Sequence, residues 1–252
     1  MILPPLLDRI SDYAAWHATA KPNAAALVLD GRMTTYKVLD ASIEALAKAL
    51  LAAGVVKGDR VATLQSPHPD YVTAWLATAS IGAIWVGLNP RYQTAELTYV
   101  IEDAEPKVLL ARTDIGGRSY LGEIAALISA TNTLDHVVAF EGEPSNEGMT
   151  TMSAFLATGN AISVDALKAA RDGCGGRDPC VIVYTSGSTG KPKGALLHHD
   201  GIAAFALAQN EIWPTEPHCN INFLPINHIG CVCDITAPCL VAGKPTGAAA
   251  RT

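Results

Sequence analysis

The chain has 252 residues, 49% of them hydrophobic and 17% charged, which is enough apolar material for a sizeable core and too little charge for a disordered chain. With 18 Lys and Arg against 24 Asp and Glu the net charge is −6, which excludes a general attraction to nucleic acid or anionic lipid. Any anion site must be local.

The first apolar run, "AALVL", turns at Asp30-Gly31, and Thr35 is placed to cap a helix. Leu39, Ile43, Leu46, Ala47 and Leu50 then recur at three-to-four spacing on one face, and Gly54 supplies the stop. Residues 61–64 read as a buried strand. The pattern then alternates: helix over 69–81, strand 83–88, helix 94–103, strand 107–111, helix 119–129, strand 136–140. This is the series of an α/β fold with largely parallel sheets and crossover helices. In the 94–103 helix, Thr94 is the expected N-cap, with Leu97, Val100 and Ile101 facing the core as scaffold.

Residues 71–90 carry no charge and would be long enough to cross a bilayer if wholly helical. Thr73, Thr78, Ser80 and Gly82 dilute the stretch, so a buried helix followed by a buried strand is the preferred reading over a membrane anchor. Residues 141–177 are richer in Gly, Ser, Asn and Asp and suggest an excursion over the surface with one short helix at 164–170.

The six cysteines, Cys174, Cys180, Cys219, Cys231, Cys233 and Cys239, all fall in the last third without a framework of spacings, and no secretory signal precedes them. Buried or free thiols in a reducing cytoplasm are expected. Cys231 and Cys233, near His218 and His228, lack the paired spacing of a structural zinc site.

The chemistry concentrates in "VYTSGSTGKPKGALLHH". Residues 180–184 read as a central strand and 195–197 as its return, with the next helix expected only after Asp200. Between them lie Gly187, Gly190 and Gly194, whose amides can approach a ligand closely, four hydroxyls on Thr185, Ser186, Ser188 and Thr189, and the cations Lys191 and Lys193. These suit a polyanion such as a triphosphate. A Gly/Ser-rich hairpin connection is the plain structural alternative. The Walker A pattern is excluded, because Thr185 stands five residues before Gly190 and Pro192 follows Lys191. His198 and His199 are read as structural or solvent-facing.

"YTSGSTGKPKG", unbroken from Tyr184 to Gly194, resembles the signature of the adenylate-forming (ANL) superfamily, the AMP-dependent synthetases and ligases. "TTYKVLD", "GVVKGDRVA" and "NPRYQTAELTYVIEDAEPKVLL" are similar to acyl-CoA synthetases in the same order, and "LPINHIG" resembles the family's Leu-Pro-x-x-His-x-x-Gly segment. By itself His228 would be read as a satisfied core histidine at a strand end. The resemblance places it beside the carboxylate and adenylate as a catalytic residue, with Asn227 where many relatives carry an aromatic residue. It also implies that Thr185, Ser186, Gly187, Ser188, Thr189, Gly190 and Lys193 hold the β- and γ-phosphates of ATP.

The implied reaction activates a carboxylic acid, a fatty or other acyl acid, to an acyl adenylate and then to a coenzyme A thioester. ATP, Mg2+ and coenzyme A are the implied cofactors and partners, with no nucleic acid and no transmembrane span. After His228 the only acidic residue is Asp234, so the family's magnesium glutamate and ribose aspartate cannot both be present. Residues 1–243 are therefore expected to form an incomplete N-terminal domain, lacking the catalytic-lysine domain, and to be inactive alone. The tail "KPTGAAART" at 244–252 is expected not to form a core strand. The alternative is a non-catalytic nucleotide-binding or partner-binding module that keeps the loop.

Overall fold

Helical spacing and short β-branched runs become, in the computed structural model, α1 (Asp12–Ala20), β1 (Ala25–Leu29), β2 (Arg32–Thr35), α2 (Tyr36–Ala52), β3 (Arg60–Leu64), α3 (Pro69–Ser80), β4 (Ile84–Leu88), α4 (Thr94–Ala104) and β5 (Val108–Ala111). There follow a small hairpin, β6 (Asp114–Ile115) and β7 (Arg118–Ser119), then α5 (Leu121–Ala130), β8 (His136–Ala139), β9 (Met149–Thr151), α6 (Met152–Thr158) and α7 (Val164–Asp172). The last third holds β10 (Pro179–Thr185), β11 (Lys193–His198), α8 (His199–Ile212), β12 (Asn220–Asn222), a π-helical stretch at Gly230–Thr236, α9 (Ala237–Ala242) and β13 (Thr246–Ala248). The structure describes residues 5–141, 148–185, 191–213 and 219–248.

One sheet has seven strands in the order β11-β10-β4-β3-β5-β8-β9, parallel throughout except for β11, which runs antiparallel to β10. Its inner strands are buried on both faces, which is why they read as continuous apolar runs. Successive residues point to opposite faces: Val61, Trp85, Val108 and Val181 pack with α2 and α3, while Ala62, Val86, Leu109 and Val137 pack with α4 and α5. A second sheet of four strands has the order β12-β13-β1-β2. Its β1–β2 hairpin turns at Asp30 and Gly31, both with positive φ, and Thr35 caps α2 by accepting the Val38 amide.

Several expectations are corrected. Gln93, not Thr94, precedes the first turn of α4: its amide donates to the Glu96 carboxylate at 2.8 Å, and Thr94 is already helical. Residues 148–177 hold more order than their polarity suggested, since β9 extends the large sheet and Phe155 of α6 is buried in the core beside α2. The helix after β11 begins at His199, not beyond Asp200. The helix α1 escaped notice because its alanines mark no face.

The tail correction is the largest: β13 lies inside the four-stranded sheet, parallel to both β12 and β1. Two open ladders flank it, and backbone hydrogen bonds make a strand there without help from large side chains. Residues 71–90 form α3 and β4, and none of the described helices is long and apolar enough to cross a membrane.

Candidate phosphate and acyl site

The site is built on the β10–β11 hairpin. β10 carries the buried residues Cys180, Val181 and Val183 between β4 and β11. Because β10 runs parallel to β4, β3, β5 and β8, the loop that leaves it opens at the carboxyl edge of the sheet, where open α/β sheets bind ligands. The ladder continues to the loop's base: Tyr184 pairs with Gly194 and Thr185 with Lys193.

Of the residues expected to hold phosphate, Thr185 ends β10 and its hydroxyl donates to the Lys193 carbonyl at 3.4 Å. Lys193 opens β11 with its side chain exposed and no ion pair among the described residues. Ser186, Gly187, Ser188, Thr189 and Gly190 lie outside the described residues. What is described is the base of the hairpin, which brings the Thr185 hydroxyl and the Lys193 backbone together.

Two residues of α4 also reach this base, and sequence reasoning had treated that helix as scaffold. The Tyr184 hydroxyl donates to Asp103 at 2.6 Å, and the Tyr99 hydroxyl donates to the Pro192 carbonyl at 2.9 Å. Burial, then the bond to the Asp103 carboxylate, pushes the Tyr184 hydroxyl well above its usual range, so it stays a donor. The Lys191 ammonium lies 5.6 Å from the Tyr99 ring centroid. The available signal was the four-residue spacing of Tyr99 and Asp103, which places them on one face.

The histidine segment crosses the neighbouring strand. A Cβ on Gly87 of β4 would meet the Ile226 carbonyl oxygen at 2.7 Å, so the chain there lies against bare backbone. His228 is exposed, and its Nδ1 accepts the Gly230 amide at 3.0 Å as the chain enters the π-helical stretch. It is thus not a core histidine at a strand end: the bond orients its ring and leaves Nε2 for a ligand. Asn227 donates to the Tyr92 hydroxyl at 3.1 Å, while its Oδ1 is buried without a partner among the described residues. His198 is exposed, and His199 is fully buried and turned from the site toward Cys174, 3.6 Å away.

A charge network centred on the buried Arg112 lies along the same edge, beyond β3 and β5, and was not anticipated. Arg112 meets Gln65 at 3.2 Å and Glu141 at 2.6 Å, and bonds Asp70 and His68. Burial would raise the Asp70 carboxyl, but His68 and Arg112 outweigh it and hold the group below its usual range. Among the described residues, no three His, Cys, Asp or Glu side chains converge on a common metal position. No residue is therefore assigned to Mg2+.

Among the described residues, the Thr185 hydroxyl and the Lys191 and Lys193 ammonium groups at the hairpin suit an anion, and an oriented imidazole belongs to the segment that lies against Gly87 of the adjacent strand. Comparison with known proteins agrees with that chemistry. The family described as AMP-binding enzyme matches residues 14–251. An indoleacetate–CoA ligase of Aromatoleum aromaticum is 31% identical over 236 residues, which cover 93% of this chain and 44% of that protein. A long-chain-fatty-acid–CoA ligase of Thermus thermophilus is 30% identical over 216 residues, covering 84% of this chain and 37% of that protein.

The chain thus spans less than half the length of these two relatives. A solved structure of a protein assigned as a long-chain-fatty-acid CoA ligase from Rhodopseudomonas palustris superposes with a TM-score of 0.81 at 26% identity, over 97% of this chain and 58% of that one. The match over residues 14–251 and the shared fold therefore place this chain in the AMP-binding enzymes of the adenylate-forming superfamily, to which it belongs.

Proposed function

We propose that the chain supplies the phosphate-holding and acyl-facing part of an acid–CoA ligase, as an N-terminal AMP-binding unit that includes β13. One observation carries the reading: the paired base of the hairpin sets the Thr185 hydroxyl and Lys193 at the carboxyl edge of the sheet, one strand from the segment that holds His228.

In the proposed reaction a carboxylate oxygen of the acid attacks the α-phosphorus of ATP, the bond to the bridging oxygen breaks, and pyrophosphate leaves. The thiol of coenzyme A then adds to the acyl carbon and AMP departs. Thr185, Ser186, Gly187, Ser188, Thr189 and Gly190 hold the outer phosphates by hydrogen bonds, and Lys193 adds fixed positive charge. His228, held through Nδ1, presents Nε2 toward the acyl group. Positioning and charge neutralisation are what these residues contribute. The described residues offer no ligand set for Mg2+.

The relatives named for indoleacetate and long-chain fatty acids point to an acid with a large apolar body as the substrate class. Titration calorimetry with ATP tests the reading. The wild-type chain is expected to bind, and Lys193→Ala to bind at least about tenfold more weakly, as for loss of a charge-assisted contact. A folded wild type that binds no ATP, or equal affinity in the variant, would overturn it.

A further inference from the structure

The helix α4 does more than cover the sheet. Tyr99 and Asp103 lie one turn apart on one face. Asp103 receives the hydroxyl of Tyr184, which directly precedes Thr185 on the limb entering the loop. Tyr99 donates to Pro192 and underlies Lys191 on the limb leaving it. One helical turn therefore holds both limbs.

This matters because of what the hairpin lacks. β11 is the edge of its sheet and almost every residue in it is exposed, so packing restrains it on one side only. A two-stranded ribbon is marginal by itself and twists readily. The helix that grips it is well anchored: Leu97, Val100 and Ile101 are buried, and Arg60 of β3 donates to the carbonyls of Ala104 at 2.5 Å and Glu105 at 2.8 Å at its end. The Tyr184 ring also lies against Gly194, where a Cβ would meet Tyr184 Cζ at 3.3 Å and Ile182 Cγ2 at 2.9 Å.

We infer that Tyr99 and Asp103 are positioning residues for the phosphate-holding hairpin: they fix the direction of both limbs and so set the affinity for a polyphosphate. The inference rests on the reading of that hairpin given above. A preorganised loop binds more tightly because less ordering is left to the moment of binding.

The test measures ATP affinity by calorimetry and amide hydrogen exchange at 184–185 and 193–195 in wild type, Tyr99→Phe, Asp103→Ala and Asp103→Asn. Tyr99→Phe deletes one oxygen and keeps the ring. It and Asp103→Ala are each expected to weaken ATP roughly five- to tenfold and to speed exchange in the limbs. Asp103→Asn, which keeps an acceptor for Tyr184, should stay within about twofold of wild type.

Should Asp103→Ala fail to fold, Tyr99→Phe carries the test alone. Wild-type affinity in Tyr99→Phe, or a lowered melting point with unchanged affinity and limb exchange, would overturn the inference. If wild type itself binds no ATP, the phosphate reading falls; limb exchange then decides the positioning claim, which faster exchange supports and unchanged exchange overturns.

Discussion

Gly87 and Ile226 meet backbone to backbone: a Cβ added at Gly87 would stand 2.7 Å from the Ile226 oxygen and 2.8 Å from Trp85 Cη2. No rotamer change relieves a clash with a carbonyl. Gly87→Ala is therefore expected to lower the unfolding free energy by about 1–3 kcal/mol, in the range of overpacked cores. It should also shift the amide resonances of 226–230, because the segment bearing His228 must move. Urea denaturation and an NMR comparison check this, and unchanged resonances there would refute the contact.

A buried polar cluster joins α3 to β12 and the π-helical stretch. Asn222 Nδ2 lies 2.9 Å from the Tyr71 hydroxyl and 3.0 Å from both the Cys231 carbonyl and Thr236 Oγ1, and Tyr71 also bonds Thr236. Asn222→Ala strands buried acceptors and should cost about 1–3 kcal/mol, with Tyr71→Phe nearer 1 kcal/mol. The double variant should lose less than the sum, since both belong to one network. Strict additivity in denaturation experiments would argue against the cluster.

Two histidines make stability depend on pH. Burial, then the Lys21 charge, lowers His17 to about 4, and burial, then Arg9, lowers His199 to about 4. His17 Nε2 donates to the Leu240 carbonyl at 2.9 Å, while Nδ1 of each ring is buried without a partner among the described residues, so a second proton finds no acceptor among them. The unfolded chain, titrating near 6.5, binds protons that the fold refuses. Stability is thus fully present above about pH 6.5 and declines as pH falls toward 4, by on the order of 3 kcal/mol per histidine. His199→Gln should flatten part of this slope; a variant with the wild-type slope would contradict the assignment.

All six cysteines are free, and only Cys219 is exposed. Burial raises the other thiols, Cys231 to about 11 and Cys233 to about 12. A thiol reagent at pH 8 should therefore label one cysteine quickly in the native chain and six in denaturant. Fast labelling of two or more native thiols would count against this packing.

Much of the fold was legible in local pattern. The stripe Leu39, Ile43, Leu46 and Leu50 announced α2, and Gly54, at φ 77°, ends it as expected. Continuous apolar runs announced the inner strands. The site was legible as a motif at 184–194, although 186–190 lie outside the described residues. Less legible were residues whose partners are distant: Asp103 finds Tyr184 81 positions away, and His17 finds Leu240 223 positions away. No spacing rule links such pairs.

The amino-acid sequence by itself determined the alternation of strand and helix and the family of the loop, because apolar period, caps and glycine stops act between near neighbours. Only the tertiary structure decided that a small, polar tail becomes β13 and that one turn of α4 grips both limbs of the hairpin. Those outcomes depend on which backbone ladders and polar groups are left open once the sheets have formed, and each such group must find a partner wherever the fold brings one.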